Sequence, residues 1–173
     1  MTKAAAAAST LDREAFVRRY GGVYERSPWV AEQAFEEAAG VGDTARLAEI
    51  FAACVDRAGD DMRLALIRAH PDLAGRAAIR GELTAESTAE QSSAGIDQCT
   101  EEEFEQFQAL NRRYRDKFGF PFVMAVRGSN RNDILAAFER RLANSSDAEV
   151  ATAIREIHKI ARLRLEAMGT NGH

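Results

Sequence analysis

The chain has 173 residues, of which 46% are hydrophobic and 29% charged, an ordinary globular composition that excludes disordered, collagen-like and membrane-spanning classes. Acidic residues outnumber basic residues by 27 to 23, so the net charge of −4 argues against a general nucleic-acid or anionic-membrane surface. Alanine occurs 33 times and proline only three times, which favours an all-α fold because Ala is the best helix former and Pro the worst.

Capping residues, glycines and apolar residues with helical spacing predict an all-α, single-domain bundle of about seven or eight helices. The bounds that these signals give are, in chain order, 9–20, 27–40, from 43 onward, 61–68, 100–119 and 146–169. Ser27 before Pro28 is predicted to cap the second helix, and both Thr100 with Glu103 and Ser146 with Glu149 have the spacing of a capping box. We place the domain at 11–168, with a flexible segment at 1–10 and a tail at 169–173.

One apolar stretch, 120–126, lies between Gly119 and Gly128 and lacks a helical signal. Pro121 disfavours the helical conformation for Phe120, so at least the start of this stretch is predicted to be extended. Its main-chain N–H and C=O groups then need hydrogen-bond partners outside a helix, and a ligand is one candidate.

The two cysteines, Cys54 and Cys99, lack the spacing of a metal site or of a close pair, which fits free thiols in a reducing compartment. The N-terminal stretch is too weakly apolar for a signal peptide, and no apolar run is long enough to span a membrane. The expected location is therefore cytoplasmic. No metal-binding or nucleotide-binding motif occurs, so no metal site is predicted.

His70 precedes Pro71 and is therefore predicted to lie at a helix end or in a turn. An imidazole there, flanked by apolar residues, is expected to be half sheltered while it faces a cleft, and it can act as an acid or a base near neutral pH. The alternative is a histidine that only caps or packs against the helix terminus.

Ser87, Glu90 and Gln91 have the spacing i, i+3 and i+4, which places them on one face if this stretch is helical. A hydroxyl, a carboxylate and an amide on one face can bind a small polar molecule. The alternative is a capping box formed by Ser87 and Glu90, whose spacing fits one.

The last helix carries two arginines on different faces. Arg164 has apolar neighbours at helical spacing, whereas Arg162 lies on a polar face. A buried arginine must be paired or must hold an anion, so Arg164 is the candidate for anion binding, with a structural ion pair as the alternative.

Three motifs, taken in order, resemble the OHCU decarboxylase family, where OHCU is 2-oxo-4-hydroxy-4-carboxy-5-ureidoimidazoline. They are Leu66-Ile67-Arg68-Ala69-His70-Pro71-Asp72-Leu73-Ala74-Gly75, Leu83-Thr84-Ala85-Glu86-Ser87-Thr88-Ala89-Glu90-Gln91 and Phe118-Gly119-Phe120-Pro121-Phe122. The resemblance extends over about 11–168.

The resemblance implies an all-α, cofactor-free carboxy-lyase, usually a homodimer, that converts OHCU to (S)-allantoin in uric acid breakdown. It implies His70 as the catalytic acid–base residue and Glu90 as a second catalytic candidate. The substrate contacts that it implies are Pro71, Ser87, Thr88, Ala89, Glu90, Gln91, Phe122, Val123, Met124, Ala125, Val126 and an arginine of the last helix, for which the helix-face argument selects Arg164.

Without the resemblance, a helical scaffold or interaction domain is the first alternative, because acidic all-α domains mostly lack catalysis. A lyase or hydrolase that acts on another ureide is the second. Turnover of OHCU and of a panel of related ureides separates these alternatives.

Overall fold

The structure, a computed structural model, describes residues 11–75 and 81–170, except for the side chain of Thr170. These residues form eight α-helices and one 3-10 helix, without any strand, which confirms the all-α fold class. In chain order the helices are α1 (Arg13–Tyr20), α2 (Trp29–Ala38), α3 (Thr44–Arg57), α4 (Asp60–Arg68), α5 (Ala85–Ser93), the 3-10 helix (Ile96–Gln98), α6 (Glu101–Phe118), α7 (Arg131–Leu142) and α8 (Ser146–Thr170). Within these described ranges, none of the helices combines the length and the apolar character that crossing a membrane would require.

The described residues divide into two compact units, the first formed by residues 11–69 together with residues 158–170. Aromatic rings fill its core: Phe16 contacts Phe35 and Phe51 edge-on, at centroid distances of 5.3 and 6.1 Å. Helix α3 contributes an apolar face at helical spacing, as its sequence predicts. The face consists of Leu47, Ile50, Phe51, Cys54 and Val55.

The second unit spans His70–Ile157 and contains most of the candidate site residues. Its core is also aromatic, with Tyr114 edge-on to Phe122 and the ring of Phe122 stacked on Phe138 at 3.7 Å. Phe122 belongs to the 120–126 segment, so this apolar stretch is anchored in the core by its own ring. The segment contains neither helix nor strand after Phe120, in agreement with the prediction that the helix ends at Gly119.

Most predicted helix ends are confirmed, but two predicted caps are wrong and a third lies outside the described residues. Asp12 caps α1 by accepting a hydrogen bond from the Ala15 N–H, whereas the predicted caps at 9 and 10 lie outside the described residues. The predicted cap at Ser27 is wrong, because its hydroxyl donates to the Glu25 carbonyl and α2 begins without a side-chain cap.

The predicted capping box at Ser146 and Glu149 is also wrong. The Ser145 hydroxyl accepts the hydrogen bond from the Ala148 N–H, so the cap lies one residue earlier. Glu149 is fully buried and its carboxylate accepts hydrogen bonds from side chains of the core instead of from its own helix end. The box at Thr100 and Glu103 is confirmed.

Candidate active site

His70 lies two residues after the end of α4, as the following proline predicts. It is only 6% exposed, so the imidazole is more enclosed than the half-sheltered position that the sequence suggested. Pro71 and Asp72 are half-buried, and the chain then turns at Leu73 and Ala74 towards Gly75. We call residues 70–75 the His70 loop.

Side chains of two helices bind the main chain of the His70 loop. From α5, the amide of Gln91 accepts a hydrogen bond from the Ala74 N–H at 3.1 Å and donates one to the Asp72 carbonyl at 3.3 Å. From α6, Gln108 donates to the Ala74 carbonyl at 2.6 Å and Asn111 donates to the Leu73 carbonyl at 2.9 Å. The loop is therefore held by three amide side chains.

An ion pair adds a fourth attachment of the His70 loop. Arg115, one turn after Asn111 on α6, donates to both carboxylate oxygens of Asp72 at 3.0 and 3.3 Å. Gln108, Asn111 and Arg115 have the spacing i, i+3 and i+7, so one face of α6 supplies all three. The sequence contains this signal, since polar residues alternate there with Phe107, Leu110 and Tyr114, but no local pattern relates this face to residues 70–75.

These hydrogen bonds and the ion pair hold the His70 loop in an unusual backbone conformation. Ala74 has a φ of 52°, in the left-handed region that non-glycine residues rarely occupy. At Gly75 the chain passes so close to Asp72 that an added Cβ would lie 2.8 Å from the Asp72 Cβ. The position of His70 is thus set by a strained, hydrogen-bonded turn.

Helix α5 presents the predicted polar face. Ser87 and Gln91 are buried, at 4% and 5% exposure, and Glu90 is half-buried. Thr88 and Ala89 are exposed, and the Thr88 hydroxyl donates to the Thr84 carbonyl. The alternative that Ser87 caps the helix is wrong, because the cap is Thr84, whose hydroxyl accepts a hydrogen bond from the Ser87 N–H. Burial of Ser87 and Gln91 is therefore not explained by helix capping.

Among residues 122–126, Phe122, Val123 and Val126 are buried, and Met124 and Ala125 are half-buried. The Ala125 N–H donates to Glu156 at 3.3 Å, and the Val123 carbonyl accepts from Arg141 at 2.6 Å. The Val126 carbonyl accepts from the Ser129 N–H at 2.9 Å. Within the described part of the chain, we find no hydrogen-bond partner for the N–H groups of Val123 and Met124.

Arg164 belongs to the first unit. It is buried, as its helix face predicts, and its guanidinium donates to Glu25 at 2.7 Å and to the Gly22 carbonyl at 3.1 Å. Arg162 is exposed and bonds Glu166 at 3.2 Å, which confirms the predicted difference between the two arginines. The ion pair considered for Arg164 is thus present, and substrate binding by Arg164 stays a prediction.

Two buried tyrosines have perturbed acidity. Burial, the largest cause, raises the pKa of Tyr24 and of Tyr114 well above the usual value of a phenol. A hydrogen bond to Glu149 raises the pKa of Tyr114 further. The Tyr24 hydroxyl bonds His158 Nδ1 at 2.8 Å, and His158 Nε2 bonds Asp56 at 3.0 Å. Both phenols remain protonated at neutral pH.

No group of three or more His, Cys, Asp or Glu side chains in the described ranges is arranged to hold a metal ion. A cavity of about 370 Å³ lies between the end of α5 and the starts of α6 and α7. None of the predicted site residues lines it, and its main polar group, Arg131, bonds the carbonyls of Gly95 and Gln98.

Comparison with known proteins assigns the chain to a family. Residues 9–166 match the family described as OHCU decarboxylase. A 2-oxo-4-hydroxy-4-carboxy-5-ureidoimidazoline decarboxylase of Haloferax volcanii is 44% identical over 155 residues, which are 90% of this chain and 89% of the relative. The mouse protein of the same name is 36% identical over 168 residues, 95% of this chain and 93% of the relative.

Solved structures agree with this comparison. A crystal structure of (S)-allantoin synthase superposes with a TM-score of 0.75 at 30% identity over 94% of this chain, which spans 53% of that protein. A structure of OHCU decarboxylase in the presence of (S)-allantoin has a TM-score of 0.68 at 20% identity, covers 93% of this chain and all of its own, and supports the fold. The chain belongs to the OHCU decarboxylase family.

Proposed function

We propose that this protein decarboxylates OHCU to (S)-allantoin in urate breakdown, with His70 as general acid–base and Glu90 as a second catalytic group. The observation that carries the proposal is the buried His70 on a loop held by four side chains, next in sequence to Pro71 and bonded to Gln91 of α5. A histidine in such a fixed position suits proton transfer at neutral pH.

The chemistry of OHCU fits such a site. The ring carbon that loses CO2 also bears a hydroxyl and adjoins a ring C=N bond. When the bond to the carboxylate breaks, its electron pair forms a C=C bond with the neighbouring carbon, and the C=N electrons move to nitrogen, which takes a proton. Protonation of the ureido-bearing carbon and loss of the hydroxyl proton then give the lactam carbonyl of allantoin. The substrate accepts its own electrons, so we propose that no cofactor is needed.

The protein's part is to orient the carboxylate, to stabilise developing negative charge and to deliver a proton to one face of the carbon. His70 and Glu90 are assigned to proton transfer. Ser87, Gln91 and the main chain of 122–126 are assigned to the ureido and lactam groups, whose donors and acceptors match theirs. Pro71, Thr88 and Ala89 complete the proposed contacts around them, and Arg164 is proposed to bind an anionic oxygen.

Fixed-side protonation has a measurable consequence. OHCU can also give allantoin spontaneously, but only an oriented proton donor yields a single enantiomer. The test is enantiomer-resolved conversion of freshly made OHCU by the wild type and by His70→Ala. We expect the variant to lose about 10²-fold or more in turnover, the scale of a positioned acid–base group.

A matched control is His158→Asn, because His158 is also a bonded histidine but contacts Tyr24 and Asp56 instead. It should retain turnover after correction for folded fraction. A folded His70→Ala variant with near wild-type activity, or a wild type that prefers another ureide in a substrate panel, contradicts the proposal.

The cofactor-free mechanism has its own test. Chelation followed by dialysis should leave turnover unchanged. A loss of turnover that one divalent ion restores contradicts the cofactor-free mechanism.

The proposal also includes a homodimer in the cytoplasm. Light scattering on the purified protein tests the dimer, with a monomeric mass as the contrary result. Fractionation of the source cells tests the location.

A further inference from the structure

A buried polar network contacts the 120–126 segment at two residues that the proposed function assigns to substrate binding. We infer that Arg141 is a positioning residue of this enzyme, which holds the Val123 carbonyl and the Phe122 ring so that the segment binds the substrate. The inference rests on the proposed function, because it takes this segment as part of the substrate site.

Arg141 reaches the segment with a single planar group. Its Nη1 donates to the Val123 carbonyl at 2.6 Å, and its guanidinium carbon lies 4.2 Å from the ring centroid of Phe122. The same guanidinium donates through Nε to Glu149 at 2.7 Å. Two consecutive residues of the segment are thus fixed by one side chain, one through its main chain and one through its ring.

Glu149 in turn determines the orientation of Arg141. One carboxylate oxygen accepts from Arg141 and from the Tyr114 hydroxyl, and the other accepts from Asn144 at 2.9 Å. The side chains of Arg141 and Glu149 are 9% and 0% exposed. A carboxylate with three donors and no exposure leaves the guanidinium little freedom to turn.

Stability alone does not account for this network. Removing two charges from water is costly, and apolar residues of similar volume are often as stable as a buried ion pair or more so. The surroundings would accept such residues, since Phe122 and Phe138 stack beside the pair. Apolar side chains, however, cannot donate to the Val123 carbonyl, and this is the contact that fixes the segment.

Substrate binding is the step that such fixation serves. In the proposed function, a lactam or ureido oxygen accepts hydrogen bonds from main-chain N–H groups of the segment. Hydrogen bonds weaken steeply as their angle departs from linear, so a displaced segment binds the substrate less tightly. Proton transfer at His70 depends on other residues. Loss of Arg141 should therefore raise KM more than it lowers kcat.

The experiment compares Arg141→Lys with Arg131→Lys in the full chain. Arg131 is a matched control because it also pairs with a carboxylate, Glu103, and donates to main-chain carbonyls, of Gly95 and Gln98, and these partners are not among the proposed site residues. KM and kcat for OHCU are measured well below the melting temperature of each variant. Amide hydrogen exchange at 122–126 is recorded on the same samples.

For Arg141→Lys we expect KM to rise about tenfold or more, as for the loss of a hydrogen bond to a charged group, with faster exchange at 122–126. Arg131→Lys should leave KM within about twofold of the wild type, since its partners, Glu103, Gly95 and Gln98, are not among the proposed substrate contacts. A merely structural role lowers the folded fraction and hence kcat alone, so unchanged KM and unchanged exchange overturn the inference. An inactive wild type instead contradicts the proposed function.

If Arg141→Lys does not fold, Tyr114→Phe replaces it. This variant keeps the ring and removes one donor to Glu149. A raised KM with faster exchange at 122–126 supports the positioning role, and wild-type values for both overturn it.

Discussion

Among the residues that the structure describes, each unit buries one arginine against a glutamate. In the first unit Arg164 donates to Glu25, and in the second Arg141 donates to Glu149, both at 2.7 Å. Each arginine also donates to a main-chain carbonyl, of Gly22 in one case and of Val123 in the other.

The two pairs differ in the segment that contains the accepting main-chain carbonyl. Gly22 lies in the turn after α1, whereas Val123 lies in the 120–126 segment, to which the proposed function assigns substrate contacts. Similar buried pairs therefore support different parts of the fold. An arginine that anchors an irregular segment substitutes for the hydrogen bonds that a helix or sheet would have provided.

The largest effect is expected from breaking the second pair. Glu149→Ala leaves the buried Arg141 charge without its carboxylate and removes the acceptor of Tyr114 and Asn144, so we expect a loss of about 3–5 kcal/mol in the free energy of unfolding. Urea denaturation measures it. Glu25→Ala provides the comparison in the first unit, and a loss below about 1 kcal/mol for Glu149→Ala would contradict a tightly coupled network.

The next effect concerns activity at the first pair. Arg164→Lys keeps the charge but loses the planar fork of donors, so kcat/KM should fall about tenfold or more if Arg164 binds an anionic oxygen. Arg162→Lys, on the exposed face, should change kcat/KM less than about twofold. Thermal melting of each variant shows whether a fall in kcat/KM comes from lost stability or from lost binding, since Arg164 also pairs with Glu25. Equal small effects at both positions would exclude Arg164 from the site.

A smaller effect is expected in the pH dependence of the free energy of unfolding, to which a buried tyrosine of each unit contributes. Burial raises the pKa of Tyr24 and Tyr114, so the folded protein keeps phenol protons that the unfolded chain releases above about pH 10. The contribution of each tyrosine to stability is therefore complete below that pH and decreases as the pH rises further. Urea denaturation between pH 8 and about pH 11 measures it.

Phenylalanine substitutions provide the control for this pH dependence. Tyr24→Phe and Tyr114→Phe should each flatten the alkaline decrease, because the substituted position has no proton to release. Tyr20→Phe is the reference for the loss of a hydroxyl group from a buried ring in the first unit, which also contains Tyr24. If neither substitution changes the alkaline decrease in the free energy of unfolding, that decrease does not come from Tyr24 and Tyr114.

The smallest effect locates the start of α8. Ser145→Ala should cost about 1 kcal/mol, because the Ser145 hydroxyl accepts a hydrogen bond from the Ala148 N–H. Ser146→Ala should cost much less, since the exposed Ser146 is the first helical residue and not the cap. The reverse order would restore the capping box that the sequence suggested.

Much of the fold could be predicted from the sequence because local signals determine it. The Thr100 box, the Gly119 end of α6 and the apolar face of α3 involve residues within one or two turns of each other. The helix face of Arg164 is equally local. Glu149 shows where such signals fail, because it has the spacing of a capping box but its carboxylate is bound by three side chains from outside its own helix, those of Arg141, Asn144 and Tyr114.

The candidate site likewise contains residues that local signals predict and contacts that they do not predict. His70 at a helix end and the polar face of α5 follow from Pro71 and from helical spacing. The helix-face argument that selected Arg164 also fits Arg141, whose neighbours at i−7, i−4 and i−3 are Ile134, Ala137 and Phe138, all buried. The attachment of Val123 to Arg141 and of Ala74 to Gln108 could not be predicted, because nothing local pairs these residues.

The left-handed backbone at Ala74 has a consequence for protein engineering. An alanine in that region costs roughly 1–2 kcal/mol, which its bonds to Gln91 and Gln108 offset. Glycine would adopt the same φ without that cost, at the expense of about 0.5–1 kcal/mol of additional chain freedom. An engineer who wants a more heat-resistant enzyme would therefore start with Ala74→Gly, and the same variant would reveal whether turnover tolerates a relaxed loop four residues after His70.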